Sequence, residues 1–292
     1  MRITSQMIVD NALRNIEQSF QRLSRLQGQL SSGKRITKSS DDPAGTSRAL
    51  SYKSAQSALN KYQDNTNNAL GWTQMSDSTL GDVSAALTKA REIAVQASNG
   101  TLTDDDRMQL VGEVQQLFDQ VLQAGNNKID NRYIFAGHKT TTEPFTAGGA
   151  SGYTYNGDAG QIASEIEPGS MLVMNVPGSQ GISAALDALW SLRNALGSGD
   201  QTSVGTSIQQ LGSAQDAVLQ DQGSMGGRVN RLETTQARLK STQETTAHLL
   251  SNTEDADITS VITDLAAQQN AYQAALIAAS RSVPQSLVNY MQ

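Results

Sequence analysis

Apolar residues recur at alternating steps of four and three along most of this chain, the spacing that keeps one face of an α-helix turned toward a partner. Val9, Leu13, Ile16, Phe20 and Leu23 carry the pattern near the amino terminus. They predict a helix through about Leu30, broken by Ser31-Ser32-Gly33. A polar connector, Lys34–Ser40, follows. Asp42-Pro43 then restarts the helix, Asp42 as a cap for free amides and Pro43 in the first turn, where no N–H is needed. From Tyr52 the line Ala55, Leu59, Tyr62, Thr66, Ala69, Thr73, Ser76, Leu80, Val83, Leu87, Ala90, Ala94 and Ala97 keeps heptad spacing. One helix over residues 44–98 would run roughly 80 Å at 1.5 Å per residue.

Asn99-Gly100 ends that rod, and Thr103 caps a returning helix whose first turn holds Asp104, Asp105 and Asp106, acids that complement the helix dipole. Met108, Val111, Phe118 and Val121 give it an apolar face. From about Lys128 to Pro177 the texture turns to short β-runs, Tyr133–Ala136, Tyr153–Tyr155, Ile162–Glu167 and Met171–Val176, separated by glycines. Asn156-Gly157 reads as a type I′ hairpin turn. Helical patterning resumes over Ile182–Leu196, Thr202–Leu219 and Val229–Leu250, with Gly223-Ser224-Met225-Gly226-Gly227 as a joint between helices. After Asn252–Asp255, a last seam carries Ile258, Ile262, Leu265, Gln269, Tyr272, Leu276, Ala279, Val283 and Leu287.

The expected fold is mainly α with a small β insertion: a long antiparallel coiled-coil rod with paired terminal helices and an outer β domain. Its parts are a terminal helix and connector over 1–40, rod halves over 41–128 and 179–253, a β domain over 129–178, and a terminal helix over 254–292. A terminal heptad helix has no strong partner except its opposite number or another subunit. The two end seams are therefore expected to associate, and Val9, Leu13, Ile16, Phe20, Leu23, Ile258, Ile262, Leu265, Tyr272, Leu276, Val283 and Leu287 form the candidate subunit interface.

Composition narrows the function. The chain of 292 residues carries 22 Lys+Arg against 28 Asp+Glu, a net charge of −6 without a basic block, which argues against nucleic-acid binding. Charged residues make up only 17%, below the roughly 25% of an average domain. Uncharged polar residues take their place, and they bury against neighbours without the cost of desolvating ions. With no cysteine, disulfides and thiolate metal sites are excluded. No apolar run reaches membrane-spanning length, and Asp10, Asn11 and Glu17 stand where a cleaved signal would be apolar.

Catalytic chemistry finds no foothold. His138 and His248 lack a carboxylate or second His at ligand spacing. Asp41-Asp42 and Asp104–Asp106 are explained by helix capping. The glycine-rich stretch at 223–227 lacks the Lys-Ser/Thr of a phosphate loop. No enzyme and no cofactor are expected. A coiled-coil signalling protein would normally carry a transmembrane segment or a ligand module, and neither is evident.

Leu30-Ser31-Ser32-Gly33-Lys34-Arg35-Ile36 and Asp41-Asp42-Pro43-Ala44-Gly45 resemble the amino-terminal block of the bacterial flagellin family, and Ile258–Gln292 resembles its tail. Pro43 departs from the Ala of many flagellins. Asn131–Gly137, Glu143-Pro144-Phe145, Tyr272–Leu276, Ser286–Tyr290 and the opening Met1–Thr4 are more similar to the hook–filament junction members of that family than to filament flagellin. The resemblance implies a structural subunit between hook and filament, with filament-forming flagellin as the alternative. It implies partners in further copies of itself, a neighbouring hook-associated protein, flagellin, and a cytosolic export chaperone on the carboxyl-terminal region. It also implies an extracellular place in the flagellum, reached through the flagellar export apparatus without a cleaved signal. The terminal seams would then pack only after export, remaining loosely ordered in the free subunit.

Overall fold

A computed structural model describes residues 5–98 and 103–282. Among these are helices α1 (Ser5–Ser32), α2 (Pro43–Ser98), α3 (Asp104–Gly125), α4 (Gly181–Ser198), α5 (Gln201–Glu254) and α6 (Ile258–Ser282). Six short strands lie between α3 and α4: β1 (Lys128–Ile129), β2 (Arg132–Tyr133), β3 (Phe145–Ala147), β4 (Tyr153–Tyr155), β5 (Ala163–Glu167) and β6 (Ser170–Val173). The architecture is mainly α with a small β insertion, as the patterning requires. Two compact units divide the chain, one formed by residues 1–58 with 242–292 and the other by residues 59–241. The division falls inside α2 and α5, where no loop marks it.

Within the 59–241 unit, α2 buries the line that its spacing specifies. Ala69, Leu80, Val83, Leu87, Ala90 and Ala94 lie in one core with Leu110, Val114, Phe118 and Val121 of α3. Leu186, Leu189 and Leu192 of α4 and Leu211, Val218, Met225 and Leu232 of α5 complete it. The same line contains Thr66, Thr73 and Ser76, with Thr79 beside it, all fully or nearly fully buried. Each hydroxyl donates to the carbonyl four residues earlier: Thr66 to Tyr62, Thr73 to Ala69, Ser76 to Trp72 and Thr79 to Met75, at 2.7–2.9 Å. A polar seam is therefore buried with its hydroxyl hydrogens satisfied by its own helix. Ala55 of the expected seam is exposed. So is Met108, which the structure replaces on the α3 face with Leu110 and Val114.

The start of α3 is fixed as its sequence dictates. Asp106 N–H donates to the Thr103 hydroxyl, and the Asp106 carboxylate accepts from the Thr103 N–H, a reciprocal cap. Asp42 likewise accepts from the Gly45 N–H at 2.8 Å at the start of α2.

The β insertion is three antiparallel hairpins. Phe145 is fully buried against the Tyr153 and Tyr155 rings, with centroids at 5.9 and 5.1 Å. Gly125 and Gly178 admit that ring, since a Cβ on either would come within 2.6–2.8 Å of it. The two-residue turn with both φ positive is Asp130-Asn131, between β1 and β2. Asn156-Gly157 is not a hairpin turn. Asn156 donates its N–H to the Pro144 carbonyl at 2.8 Å and its amide to Thr146, so it extends the β3–β4 pairing. The actual turn there is Gly148–Gly152, three of whose glycines have positive φ.

A second expectation is overturned: the glycine-rich stretch at 223–227 is not a joint between helices. Helix α5 runs without interruption from Gln201 to Glu254. Met225 is completely buried between Val218 and Leu232, and packing on three successive heptad positions overrides weak local propensity.

Replacing Leu87 by Ala is expected to cost about 2–5 kcal/mol, because that side chain is wholly buried. Leu13→Ala, at a side chain 59% exposed, is expected to stay within about 0.5 kcal/mol. Urea denaturation of the two variants measures both.

Candidate functional site

Helices α1 and α6 pair within the unit that contains both chain ends. Near the open end, the Gln268 amide donates to the Ser19 hydroxyl at 2.7 Å and the Ser19 carbonyl at 3.2 Å. At the other end Ala256 N–H donates to the Gly33 carbonyl at 2.9 Å. The helices therefore run in opposite directions.

Among described side chains, those of α1 that turn toward this seam are Ala12, Ile16, Ser19, Leu23, Leu26 and Leu30, and all are only partly buried. From α6 come Val261, Leu265, Gln268, Tyr272, Ala275 and Ala279, of which Val261 is buried. Of the residues read from sequence, Ile16, Leu23, Leu265 and Tyr272 thus lie on the seam. Leu13 (59%), Phe20 (56%), Ile258 (41%), Ile262 (51%) and Leu276 (43%) are exposed. Val283 and Leu287 lie outside the described residues, as does the side chain of Val9.

The difference is a shift of one residue at every second heptad position. Ala12 stands in for Leu13, Ser19 for Phe20, Val261 for Ile262 and Ala275 for Leu276. Small or hydrogen-bonding residues fill the contact while the larger neighbours face outward. In an antiparallel pair, advancing one residue turns both helices toward the same side, since each advances about 100° in its own right-handed sense. Leu13 and Phe20 thus share a side of the pair with Ile262 and Leu276. The Phe20 ring reaches Tyr272, centroids 6.1 Å apart. Below Phe20, α1 and the connector enclose an open groove of about 660 Å³ lined partly by Arg25, Thr37, Lys38 and Asp41.

A joint where the two connectors cross sets the register of the pair. Gly33 (φ +69°) ends α1 in the left-handed region that favours glycine. Lys34 then forms an antiparallel bridge with Asp255. Arg35 N–H donates to the Glu254 carbonyl at 2.7 Å, and the Arg35 guanidinium to the Thr253 carbonyl at 2.8 Å. The Glu254 side chain, 9% exposed, takes Lys34 Nζ and Lys53 Nζ, each at 2.7 Å. Hydrogen bonds from Lys34 first, then Lys53, hold its carboxyl below the ordinary value of 4.5. Ile36 is buried against Gly45, where a Cβ would come within 2.7 Å of it. Thr37 and Lys38 N–H groups donate to Asp41, which closes the connector and lowers that carboxyl also.

The helical pattern breaks over residues 252–255, and its spacing does not single out Glu254. The available signal was an acid at a helix break matched by Lys34-Arg35 at the other. His138 and His248 are exposed. The His138 N–H donates to Asp158 at 2.7 Å and its ring meets the Gln161 carbonyl at 3.2 Å, contacts that close a loop. Among the described residues no group of three His, Asp or Glu side chains is placed to hold a metal ion, and no helix is long and apolar enough to cross a membrane.

Residues 3–140 match the bacterial flagellin N-terminal helical region and residues 208–291 the bacterial flagellin C-terminal helical region, together well over half of the chain. The chain belongs to the bacterial flagellin family. This flagellin-family chain is 34% identical over 183 residues to flagellar hook-associated protein 3 of Salmonella typhimurium, covering 62% of this chain and 56% of that protein. It thus spans just over half the length of that relative. To the flagellar filament 30.7 kDa core protein of Treponema maltophilum it is 28% identical over 245 residues, 82% of this chain and 81% of that one. The solved structure of FlgL from Bacillus cereus shares the fold, with a TM-score of 0.62 at 21% identity over 69% of this chain and 99% of that chain.

Because Glu254 has a lowered folded pKa, its contribution is complete above 4.5 and is lost as pH falls through the folded value. Glu254→Gln is expected to cost about 1 kcal/mol at pH 7. The gap to wild type should close on acidification, read by urea denaturation at pH 7 and pH 3.

Proposed function

We propose that this flagellin-family chain is a non-enzymatic structural subunit of the bacterial flagellum, joining the hook side to the flagellin filament. The observation that carries the reading is the second apolar line on the terminal helices. Leu13, Phe20, Ile262 and Leu276 stay exposed beside a seam already filled within the chain. A helix pair that satisfies one face internally and leaves another apolar is suited to packing against neighbouring copies around a tube axis. Such head-to-tail contacts propagate only when the two contacting surfaces differ. Each large side chain buried on assembly contributes about 1.5–3 kcal/mol, enough collectively to offset the ordering of a loosely held pair.

The terminal residues Val9, Leu13, Ile16, Phe20, Leu23, Ile258, Ile262, Leu265, Tyr272, Leu276, Val283 and Leu287 form the interface set in this reading. Ile16, Leu23, Leu265 and Tyr272 hold the pair together and the exposed members meet a neighbour. Partners are further copies, a hook-associated protein on one side and flagellin on the other. Before assembly a cytosolic chaperone covers the carboxyl-terminal region, and the chain leaves through the flagellar export apparatus. The similarity to a hook-associated protein favours the junction role, while the longer alignment to a filament core protein keeps filament formation as the second reading.

Deleting the gene separates the two. A junction subunit is expected to leave hooks in place with flagellin released into the medium; a filament subunit leaves hooks and no released flagellin. Separately, Leu13→Ser with Phe20→Ser is expected to abolish assembly, followed by sedimentation, while the monomer keeps its circular dichroism. Assembly at wild-type level by that double variant would refute the interface.

A further inference from the structure

Some glycines of this chain are sterically required: a Cβ at Gly125 of α3, or at Gly152, Gly160 or Gly178 between α3 and α4, would come within 2.1–2.8 Å of a neighbouring side chain. Gly205, Gly212, Gly223, Gly226 and Gly227 of α5 are different, because a Cβ at any of them would meet nothing within 4 Å. None has the positive φ that favours glycine. Neither packing nor backbone geometry explains them, although each weakens a helix interior relative to alanine.

Three of these five, Gly223, Gly226 and Gly227, fall within five consecutive residues. Between Val218 and Leu232 the one fully buried apolar side chain of α5 is Met225. The stretch is bracketed by two half-buried charges, Asp221 and Arg228. The Asp221 carboxylate accepts from the Gly181 N–H at the start of α4, and Arg228 donates to the Asn175 carbonyl at 2.9 Å. Burial raises the Asp221 carboxyl and lowers the Arg228 guanidinium, so both charges sit in a setting that disfavours them. On either side α5 is tied by Gln215 to Thr88 at 3.0 Å, by Arg231 to Ser170 at 3.1 Å, by Gln236 to Asn67 at 2.8 Å, and by Arg238 to Glu167.

We propose that residues 221–228 are a built-in opening point of α5, a segment that is helical in the folded chain yet unravels ahead of the helix on either side. Loss of the Met225 anchor converts one 54-residue helix into two independently held helices. The helix thereby opens in sections and does not have to melt as a single unit. The device is independent of the junction role proposed above.

Native-state hydrogen exchange on the full chain tests this. Amides at 222–229 are expected to exchange faster than those at 208–218 and 232–243, although all belong to one continuous helix. Gly→Ala at 223, 226 and 227 is expected to slow exchange there by about fivefold each and on the order of 100-fold together, with little change in the flanking amides. Met225→Ala should act in the opposite direction, raising exchange at 222–229 first. Uniform protection along α5 in the wild type would overturn the proposal. So would a triple alanine variant whose exchange at 222–229 is unchanged or faster.

Discussion

The pairing of α1 with α6 joins residues 249 positions apart in sequence, and it depends on the crossing of two connectors at Glu254. Two lysines on one nearly buried carboxylate, with hydrogen bonds to backbone carbonyls around it, fix where α1 ends and α6 begins. Without that register the seam would have little to choose between alternatives, because few of its described side chains are deeply buried. Polar contacts here supply geometry more than stability. Ser19 with Gln268 plays the same part further along, a hydrogen-bonded pair that specifies one alignment in a shallow apolar seam.

The rest of the molecule follows a related economy. A seam that contains Thr66, Thr73 and Ser76 buries less apolar area than one of leucines, yet each hydroxyl hydrogen returns to its own helix. The core is strong where α2, α3, α4 and α5 converge with the Phe145 hairpin, and thin at the terminal pair. Stability is thus graded along the chain. The best-packed part is the one the fold can hold alone, and the least-packed part is the one left with an unpartnered apolar line.

Much of this was legible in the sequence, for a clear reason in each case. The α2 line from Thr66 to Ala97 was readable because heptad spacing persisted long enough for one face to be unambiguous. The Thr103 cap and the Asp42-Pro43 start were readable because capping chemistry is local. Other features were not. The I′ turn at Asp130-Asn131 was hidden by a stronger dipeptide signal at Asn156-Gly157, whose amide is used in the β3–β4 pairing. Continuity of α5 depends on Met225 burial, a tertiary effect. The seam of the terminal pair was misplaced by one residue because periodicity favours the largest apolar side chains, whereas Ala12, Ser19, Gln268 and Ala275 make the contact. Where a helix carries two adjacent apolar lines, spacing alone does not say which one meets its partner.

In the proposed assembly one apolar line is satisfied inside the chain and the other between chains. The absence of cysteine makes it testable by single thiols. Phe20→Cys and Ile16→Cys, each introduced alone, are reacted with a maleimide before and after assembly. The thiol at position 20 is expected to react rapidly in the monomer and to become protected on assembly, while that at position 16 reacts slowly in both states. Equal reactivity of the position-20 thiol in monomer and assembly would contradict it.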